Sequence, residues 1–213
     1  MKRLLLLLSV LFFINNDLFA QLPAITGTPI ACAGSTSALS NGTPGGVWTS
    51  STPAIATVNM FTGVVTGVSA GTTTITYTVG VSNVTTTFLV NPLPAPITGV
   101  TTVCAGDWTS LASPGGGLWT SSNPAVATVG SLSGRVTSIT AGFTNITYTL
   151  STGCTTSIPV TVNPLPAPIG GNNIVYNGLT LLLSDATSGG AWSSELPSYA
   201  TVHPTSGLVT GAA

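Results

Sequence analysis

Apolar and hydroxyl-bearing side chains alternate along residues 74–79, where Ile75, Tyr77 and Val79 are separated by threonines. A period of two built from β-branched and aromatic residues predicts a half-buried strand, with one face in a core and the threonine face in water. The same alternation recurs along residues 158–162. After residue 20, no stretch shows the 3.6-residue period of an amphipathic helix.

Glycine and proline interrupt the apolar pattern roughly every 8–12 residues, a spacing typical of an all-β sandwich. Residues 21–91 predict seven short strands, near 25–31, 35–39, 46–51, 55–59, 64–68, 72–79 and 83–90. Seven short strands in about 70 residues fit a small immunoglobulin-like (Ig-like) sandwich. We therefore predict an all-β fold.

The pattern repeats along the chain. Ile25, Ile97 and Ile169 are spaced 72 residues apart, and each follows a Leu-Pro-Ala block. Self-similarity at a fixed period predicts a tandem array of like modules. The predicted boundaries are those of repeat 1 at 21–91, repeat 2 at 92–163 and an incomplete repeat 3 at 164–213.

Two proline-rich segments, 91–96 and 163–168, lie between the repeats. Because alternating prolines fix φ and favour an extended chain, we predict semi-rigid linkers. Repeat 3 lacks counterparts of the strands predicted at 72–79 and 83–90. Two interpretations are open: the chain is the front part of a longer repeat protein, or another subunit donates the missing strands, which would produce self-association.

The first twenty residues have the organisation of a secretory signal peptide. Lys2 and Arg3 precede an apolar run over 4–14, and Leu18-Phe19-Ala20 offers a cleavage site before Gln21. The apolar run is too short to span a bilayer, so we predict removal of residues 1–20 and export. The predicted location is therefore extracellular or on the cell surface.

Charge is nearly absent after residue 20, where the ionised side chains are Asp107, Arg135, Asp185 and Glu195. One arginine without any lysine cannot build a phosphate-binding groove, so nucleic acid is excluded as a partner. No segment after residue 20 predicts a membrane span. Calcium needs several carboxylates, and the sequence offers no such set, so we predict neither a metal site nor a cofactor.

The sequence also argues against catalysis. A Ser-His-Asp site needs a nucleophile, a base and an orienting acid, and His203 is the single histidine. Glycoside hydrolysis needs two carboxylates across a cleft, and only Asp185 and Glu195 share a repeat. We predict no catalytic residues.

Three cysteines in a secreted chain predict a disulfide. Cys104 and Cys154 both lie in repeat 2, so we predict that they pair and close a loop of about 50 residues, which contributes about 4 kcal/mol in the chain-entropy model. Cys32 aligns with Cys104, but Ser82 stands at the position of Cys154. Cys32 is then left over, either as a half-buried free thiol or in an intermolecular disulfide.

Aromatic residues recur at fixed places in the repeat. Trp48, Trp119 and Trp192 share one position, and Tyr77 and Tyr148 share another. Large aromatic side chains at repeated positions of a sandwich predict core packing between two sheets. We assign these five residues to the structural core.

Trp108 does not follow the repeat, because its counterparts are Thr36 and Thr180. A large ring has replaced a hydroxyl at a position expected on the surface. Two interpretations are open: Trp108 packs at a sheet edge or against a neighbouring domain, or it stacks on a sugar ring of a bound glycan.

Three sequence blocks together resemble a known family. The blocks are Gly-Gly-x-Trp-Thr-Ser-Ser-x-Pro-Ala-(Ile/Val)-Ala-Thr-Val at 45–58 and 116–129, Gly-x-Val-Thr at 63–66 and 134–137, and Ala-Gly-x-Thr-x-Ile-Thr-Tyr-Thr at 70–78 and 141–149. This combination resembles the bacterial Ig-like domain, group 2. The proline-rich linkers are similar to those of large secreted Bacteroidetes repeat proteins.

The resemblance implies tandem β-sandwiches exposed on a bacterial surface, as in adhesins of the intimin and invasin kind. It implies no catalytic residues, since the family has none as a module. We therefore expect a non-catalytic stalk or adhesive scaffold. Two alternatives are open: a module that binds a glycan or a surface protein, and accessory repeats of a larger secreted enzyme.

Overall fold

The computed structural model describes residues 21–212, and every regular element in that range is a β-strand. The predicted all-β fold is confirmed. The predicted signal peptide lies outside the described residues. Within them, no helix has the length and hydropathy that a membrane crossing requires. The chain forms two compact units, one reaching to Pro94 and including Ser151–Cys154, the other comprising Ala95–Leu150 and the chain from Thr155 onward.

The first unit contains eight strands. In chain order they are β1 (Thr26–Gly27), β2 (Ile30–Cys32), β3 (Thr36–Ser40), β4 (Val47–Ser50), β5 (Ala56–Val58), β6 (Val64–Gly67), β7 (Gly71–Val79) and β8 (Ser82–Asn91). They form two four-stranded sheets with the orders β1-β3-β6-β5 and β2-β8-β7-β4. Side chains from both sheets share one buried core, which makes the unit a two-layer sandwich.

The predicted strand at 25–31 is two strands that join different sheets. β1 pairs with β3 in one sheet, whereas β2 runs parallel to β8 in the other. The change occurs at Thr28-Pro29. Proline has no N–H to donate to a ladder, so the chain leaves the first sheet there and continues in the second.

The second unit repeats this arrangement and then begins it again. Its strands are β9 (Thr102–Cys104), β10 (Trp108–Ser110), β11 (Leu118–Ser121), β12 (Ala127–Val129), β13 (Arg135–Ser138), β14 (Gly142–Thr149), β15 (Thr155–Asn163), β16 (Thr180–Leu182), β17 (Ala200–Val202) and β18 (Leu208–Gly211). Sheets β10-β13-β12 and β11-β14-β15-β9 enclose a second buried core.

Strands β16, β17 and β18 form one three-stranded sheet, the counterpart of β10-β13-β12. Residues 191–194, which correspond to β4 and β11, form no strand. In the complete repeats that strand pairs with β7 or β14, and no described residues fill that place in repeat 3.

The disulfide prediction is wrong in its pairing: Cys154 is bonded to Cys32, and Cys104 is free and exposed. Cys104 pairs with Asn163 at the last position of β15, whereas Cys154 precedes the first. At about 3.3 Å per residue, this places the two residues about 30 Å apart. The Cα atoms of Cys32 and Cys154 are 5.7 Å apart, a separation that a disulfide spans.

Candidate functional site

The spacing of glycine, tryptophan and tyrosine that repeats 1 and 2 share produces one packing motif. In unit 1, Trp48 on β4 lies opposite Tyr77 on β7, with ring centroids 4.6 Å apart. The Tyr77 hydroxyl donates to the Thr43 carbonyl at 2.6 Å and accepts from the Gly46 N–H at 2.9 Å. Both rings are buried, and the Tyr77 hydroxyl has its hydrogen-bond partners inside the sandwich.

Repeat 2 builds the same motif from Trp119 and Tyr148, whose ring centroids are also 4.6 Å apart. The Gly117 N–H donates to the Tyr148 hydroxyl at 2.6 Å, and both rings are buried. In repeat 3, Trp192 is only half-buried. The structure therefore places four of the five aromatic residues assigned to the core in a core, and leaves Trp192 partly open.

A buried threonine organises the serines that follow each tryptophan. The Thr73 hydroxyl oxygen lies 3.2 Å from Ser50 Oγ and 3.1 Å from Ser51 Oγ, and it accepts from the Thr52 N–H at 3.0 Å. Thr73 is one of three consecutive threonines and does not stand out among them in the sequence. Its position two residues before Ile75 is the signal, because even spacing on a strand places both side chains on the buried face.

The same hydrogen-bonded group recurs in repeat 2. Thr144 Oγ1 lies 3.0 Å from Ser121 Oγ and 3.1 Å from Ser122 Oγ, and it accepts from the Asn123 N–H at 2.9 Å. Thr73 and Thr144 are 4% and 2% exposed, which is unusual for a polar side chain and requires these partners. The serines of the sequence blocks therefore serve folding and are not free for chemistry.

Trp108 is 57% exposed and carries Arg135 against its ring. The guanidinium carbon is 4.6 Å from the ring centroid, within the range of a cation–π contact. The two residues lie on β10 and β13, where Trp108 pairs with Thr137 and Ser110 pairs with Arg135, so they are diagonal neighbours. This is an exposed pair of one aromatic ring and one cation.

Asp185 and His203 serve as local turn partners. Asp185 accepts from the Thr187 N–H, and His203 Nδ1 accepts from the N–H groups of Thr205 and Ser206, both at 3.4 Å. Among residues 21–212, no three histidine, cysteine or acidic side chains come together as a metal site would need.

Repeat 3 carries an open cavity where the complete repeats carry a core. A cavity of about 230 Å³ is lined by Leu183, Trp192, Ala200 and Val209, among others. The counterparts of these residues in repeat 1 are 4% exposed or less; they are Leu39, Trp48, Ala56 and Val65. A larger cavity of about 460 Å³, which includes Asp185 and Trp192, adjoins the same face.

Comparisons with known proteins agree with the fold. The sequence model of the bacterial Ig-like domain (group 2) matches residues 35–89, which lie within the first sandwich. No curated protein sequence matches the chain significantly.

Similar solved structures include domains 1–6 of surface layer protein SbsC (TM-score 0.32, 19% identity, 79% of this chain and 31% of that chain). Another is the C-terminal 282-residue fragment of intimin in complex with the intimin-binding domain of the translocated intimin receptor (TM-score 0.42, 20% identity, 69% and 67%). A third is the human desmocollin-1 ectodomain (TM-score 0.33, 10% identity, 92% and 53%). The chain spans about a third of the first of these structures, and similarity at this level carries no functional argument.

Proposed function

We propose that this chain is a non-catalytic structural or adhesive repeat region of a secreted or cell-surface bacterial protein, where it acts as a load-bearing stalk or scaffold. One observation carries the proposal: the side chains that recur between the repeats contact one another inside the sandwich and are not available to a substrate. Trp48, Tyr77 and Thr73 are buried and hydrogen-bonded or packed within the sandwich. A disulfide also favours an oxidising compartment.

The position of the disulfide supports a mechanical role. The bond joins residues 122 positions apart, so residues 33–153 form a closed covalent loop. Force applied at the two ends of the chain passes from Cys32 to Cys154 through the disulfide. Residues within the loop then carry no tension through their backbone, and stretching cannot extend them.

Single-molecule force spectroscopy on the whole chain tests this proposal. Under oxidising conditions, the loop should add nothing to the extended length. After reduction with dithiothreitol, about 121 more residues should extend, which adds roughly 420 Å at about 3.5 Å per residue. The Cys32→Ser variant should give the long extension with or without reductant. If the oxidised chain already shows the full length, the chain is not covalently protected and the load-bearing proposal fails.

A second candidate function is recognition of a glycan or a surface protein through Trp108. The exposure of its ring and the adjacent Arg135 guanidinium favour it, since stacking and hydrogen-bond donation are the contacts that sugars accept. A glycan array probed with the whole chain tests the idea. Trp108→Ala should abolish any hit, and Phe143→Ala, which removes another exposed aromatic side chain, should leave it unchanged. An array without hits removes glycans as the partner.

A further inference from the structure

The outward face of sheet β10-β13-β12 carries the Trp108–Arg135 pair among hydroxyl groups. Ser110, Thr128 and Thr137 are exposed on the same face, because residues two apart on a strand and residues paired across strands lie on one side of a sheet. Three strands about 4.8 Å apart and a two-residue step of about 6.7 Å give a face about 10 Å wide and about 7 Å long. This face has room for one or two sugar rings.

The equivalent faces of repeats 1 and 3 lack both the ring and the cation. In repeat 2 the three outward positions that differ between repeats hold Trp108, Ser110 and Arg135. In the other repeats these positions hold threonine, alanine or leucine, and valine or leucine; the residues are Thr36, Ala38, Val64, Thr180, Leu182 and Leu208. Because those two sheets form without the pair, the sandwich does not require it.

Arg135 keeps its hydrogen-bond donors available. Its guanidinium carbon lies over the Trp108 ring at 4.6 Å, a contact that depends on the charge and leaves the N–H groups unused. Within residues 21–212, the guanidinium has no carboxylate at ion-pair distance and donates no hydrogen bond. A guanidinium presents five N–H donors in a rigid fork that matches the two oxygens of a carboxylate.

Trp108 keeps much of its surface open while it holds the cation. The residue is 57% exposed with Arg135 already against it. An exposed aromatic ring offers a flat apolar surface to the C–H face of a sugar. The contact also restrains the long Arg135 side chain, so less conformational entropy is lost when the guanidinium binds an anion. The pair is therefore arranged for a ligand that has both an apolar ring face and a negative charge.

A single cation limits the charge of that ligand. Arg135 is the one lysine or arginine after residue 20, so it matches one carboxylate, whereas a polyphosphate or a heavily sulfated chain needs several cations. A neutral sugar would leave the guanidinium without a counterpart. A stable protein interface buries about 800 Å² on each side, which is far more than this pair offers.

We infer that this face of repeat 2 binds an acidic sugar residue, a six-membered ring that bears one carboxylate. The Arg135 fork donates two hydrogen bonds to the carboxylate, and the Trp108 ring contacts the C–H face of the sugar. The hydroxyls of Ser110 and Thr137 exchange hydrogen bonds with sugar hydroxyls. The inference rests on the second candidate function, recognition of a glycan through Trp108, and names its ligand class.

The test measures binding to the whole chain by isothermal titration calorimetry. The probes are tri-galacturonic acid, sialyllactose and a hyaluronan hexasaccharide, each compared with its own methyl ester, which keeps the ring and removes the charge. At least one acid should bind, and its ester should bind about tenfold more weakly, because hydrogen bonds to a charged group are the stronger ones. Equal binding of acid and ester would overturn the inference and leave glycan recognition by Trp108 standing. Absence of binding by all three acids would overturn the inference as well.

Substitutions that copy repeat 1 test the two residues without introducing a side chain foreign to this sheet. Arg135→Val should weaken binding of the acid about tenfold, to the level of the ester, whereas Trp108→Thr should abolish binding of both. Arg135→Lys keeps the charge but not the fork, so its affinity should fall between those of the unmodified chain and Arg135→Val. Phe143→Ala, on the other sheet of repeat 2, should bind as the unmodified chain does. Unchanged affinity of Arg135→Val for the acid would overturn the inference.

Ionic strength separates the charge contact from stacking. Raising NaCl from about 50 mM to about 500 mM should weaken binding of the acid several-fold and leave binding of the ester nearly unchanged, because salt screens attraction between exposed charges. Binding of the acid that does not respond to salt would overturn the role of Arg135. Dextran sulfate that binds more tightly than every carboxylated probe would overturn the assignment to a carboxylate.

Discussion

Replacing Thr73 by valine should destabilise the first sandwich without changing its shape. Valine has nearly the same volume and the same β-branching, so the packing of β7 is kept. The substitution removes the acceptor for the Thr52 N–H and the partner of two serine hydroxyls, at distances of 3.0 to 3.2 Å. An unpaired group at a largely buried site costs about 1–3 kcal/mol. Because the Thr52 backbone lies near the surface, we expect about 1–2 kcal/mol.

The matched control is Thr72→Val, one residue earlier on the exposed face of the same strand. Urea unfolding of the whole chain gives the free energy difference, and hydrogen exchange over residues 47–52 shows where the loss lies. For a domain of this size, each kcal/mol also corresponds to roughly 4–8 °C in Tm. If Thr73→Val unfolds within about 0.5 kcal/mol of Thr72→Val, the hydroxyl is not an organising group and the reasoning is refuted.

Two further predictions concern single positions. Gly63→Ala should cost about 2–4 kcal/mol, because φ is +70° there and a Cβ would collide with the Leu39 carbonyl oxygen and lie 2.9 Å from the Trp48 ring. Gly34→Ala, with φ +80° and nothing within 4 Å, should lose only about 1 kcal/mol by the same urea measurement, and equal losses would contradict the role of the contact. Iodoacetamide added to the unreduced, folded chain should modify Cys104 alone, as read by peptide mapping, and modification of Cys32 would contradict the disulfide.

Much of the fold could be predicted from the sequence, because the alternation of apolar and polar residues that indicates a strand lies within a short stretch of chain. The alternation along 74–79 predicts which side chains enter the core, and Tyr77 lies there, 5% exposed. The strand at 25–31 is harder, since one apolar stretch serves two sheets. The chain passes from one sheet to the other at Pro29. The sequence pattern alone does not show whether a proline ends a strand or lies where the chain changes sheets.

The cysteine pairing could not be predicted in the same way. Similarity between repeats shows that Cys32 and Cys104 are equivalent, but it does not show which end of the sandwich each occupies. That depends on the parallel pairing of β9 with the end of β15, a contact between residues about 60 positions apart. Prediction by proximity in sequence favours a partner in the same repeat, whereas the fold places Cys154 and Cys104 at opposite ends of β15.

The Trp108–Arg135 pair shows a different limit to predicting a surface site from the sequence. Trp108 departs from the repeat and is therefore visible in the sequence, but Arg135 is 27 residues away and carries no signal that it lies beside the ring. The pairing of β10 with β13 brings them together. Candidate surface sites on a sheet are thus set by register, which is known only once the strand order is known.

The near absence of charge raises the question of how this chain protects its sheet edges. Proteins commonly place lysine on edge strands to prevent pairing between molecules, and this chain has no lysine after residue 20. The strand order supplies another device. The longest strands, β7 and β8 with 9 and 10 residues, lie in the interior of their sheet, whereas the edge strands β1, β2, β4 and β5 have 2 to 4 residues.

A short edge offers few unpaired backbone groups, so the protection needs no charge. The same order holds in repeat 2, where β14 and β15 are interior and β9 and β11 are edges of 3 and 4 residues. In repeat 3 the edge strands β16 and β17 are also short, with 3 residues each. In both complete sandwiches, short edge strands around a long central hairpin therefore take the place that charged residues have at other sheet edges.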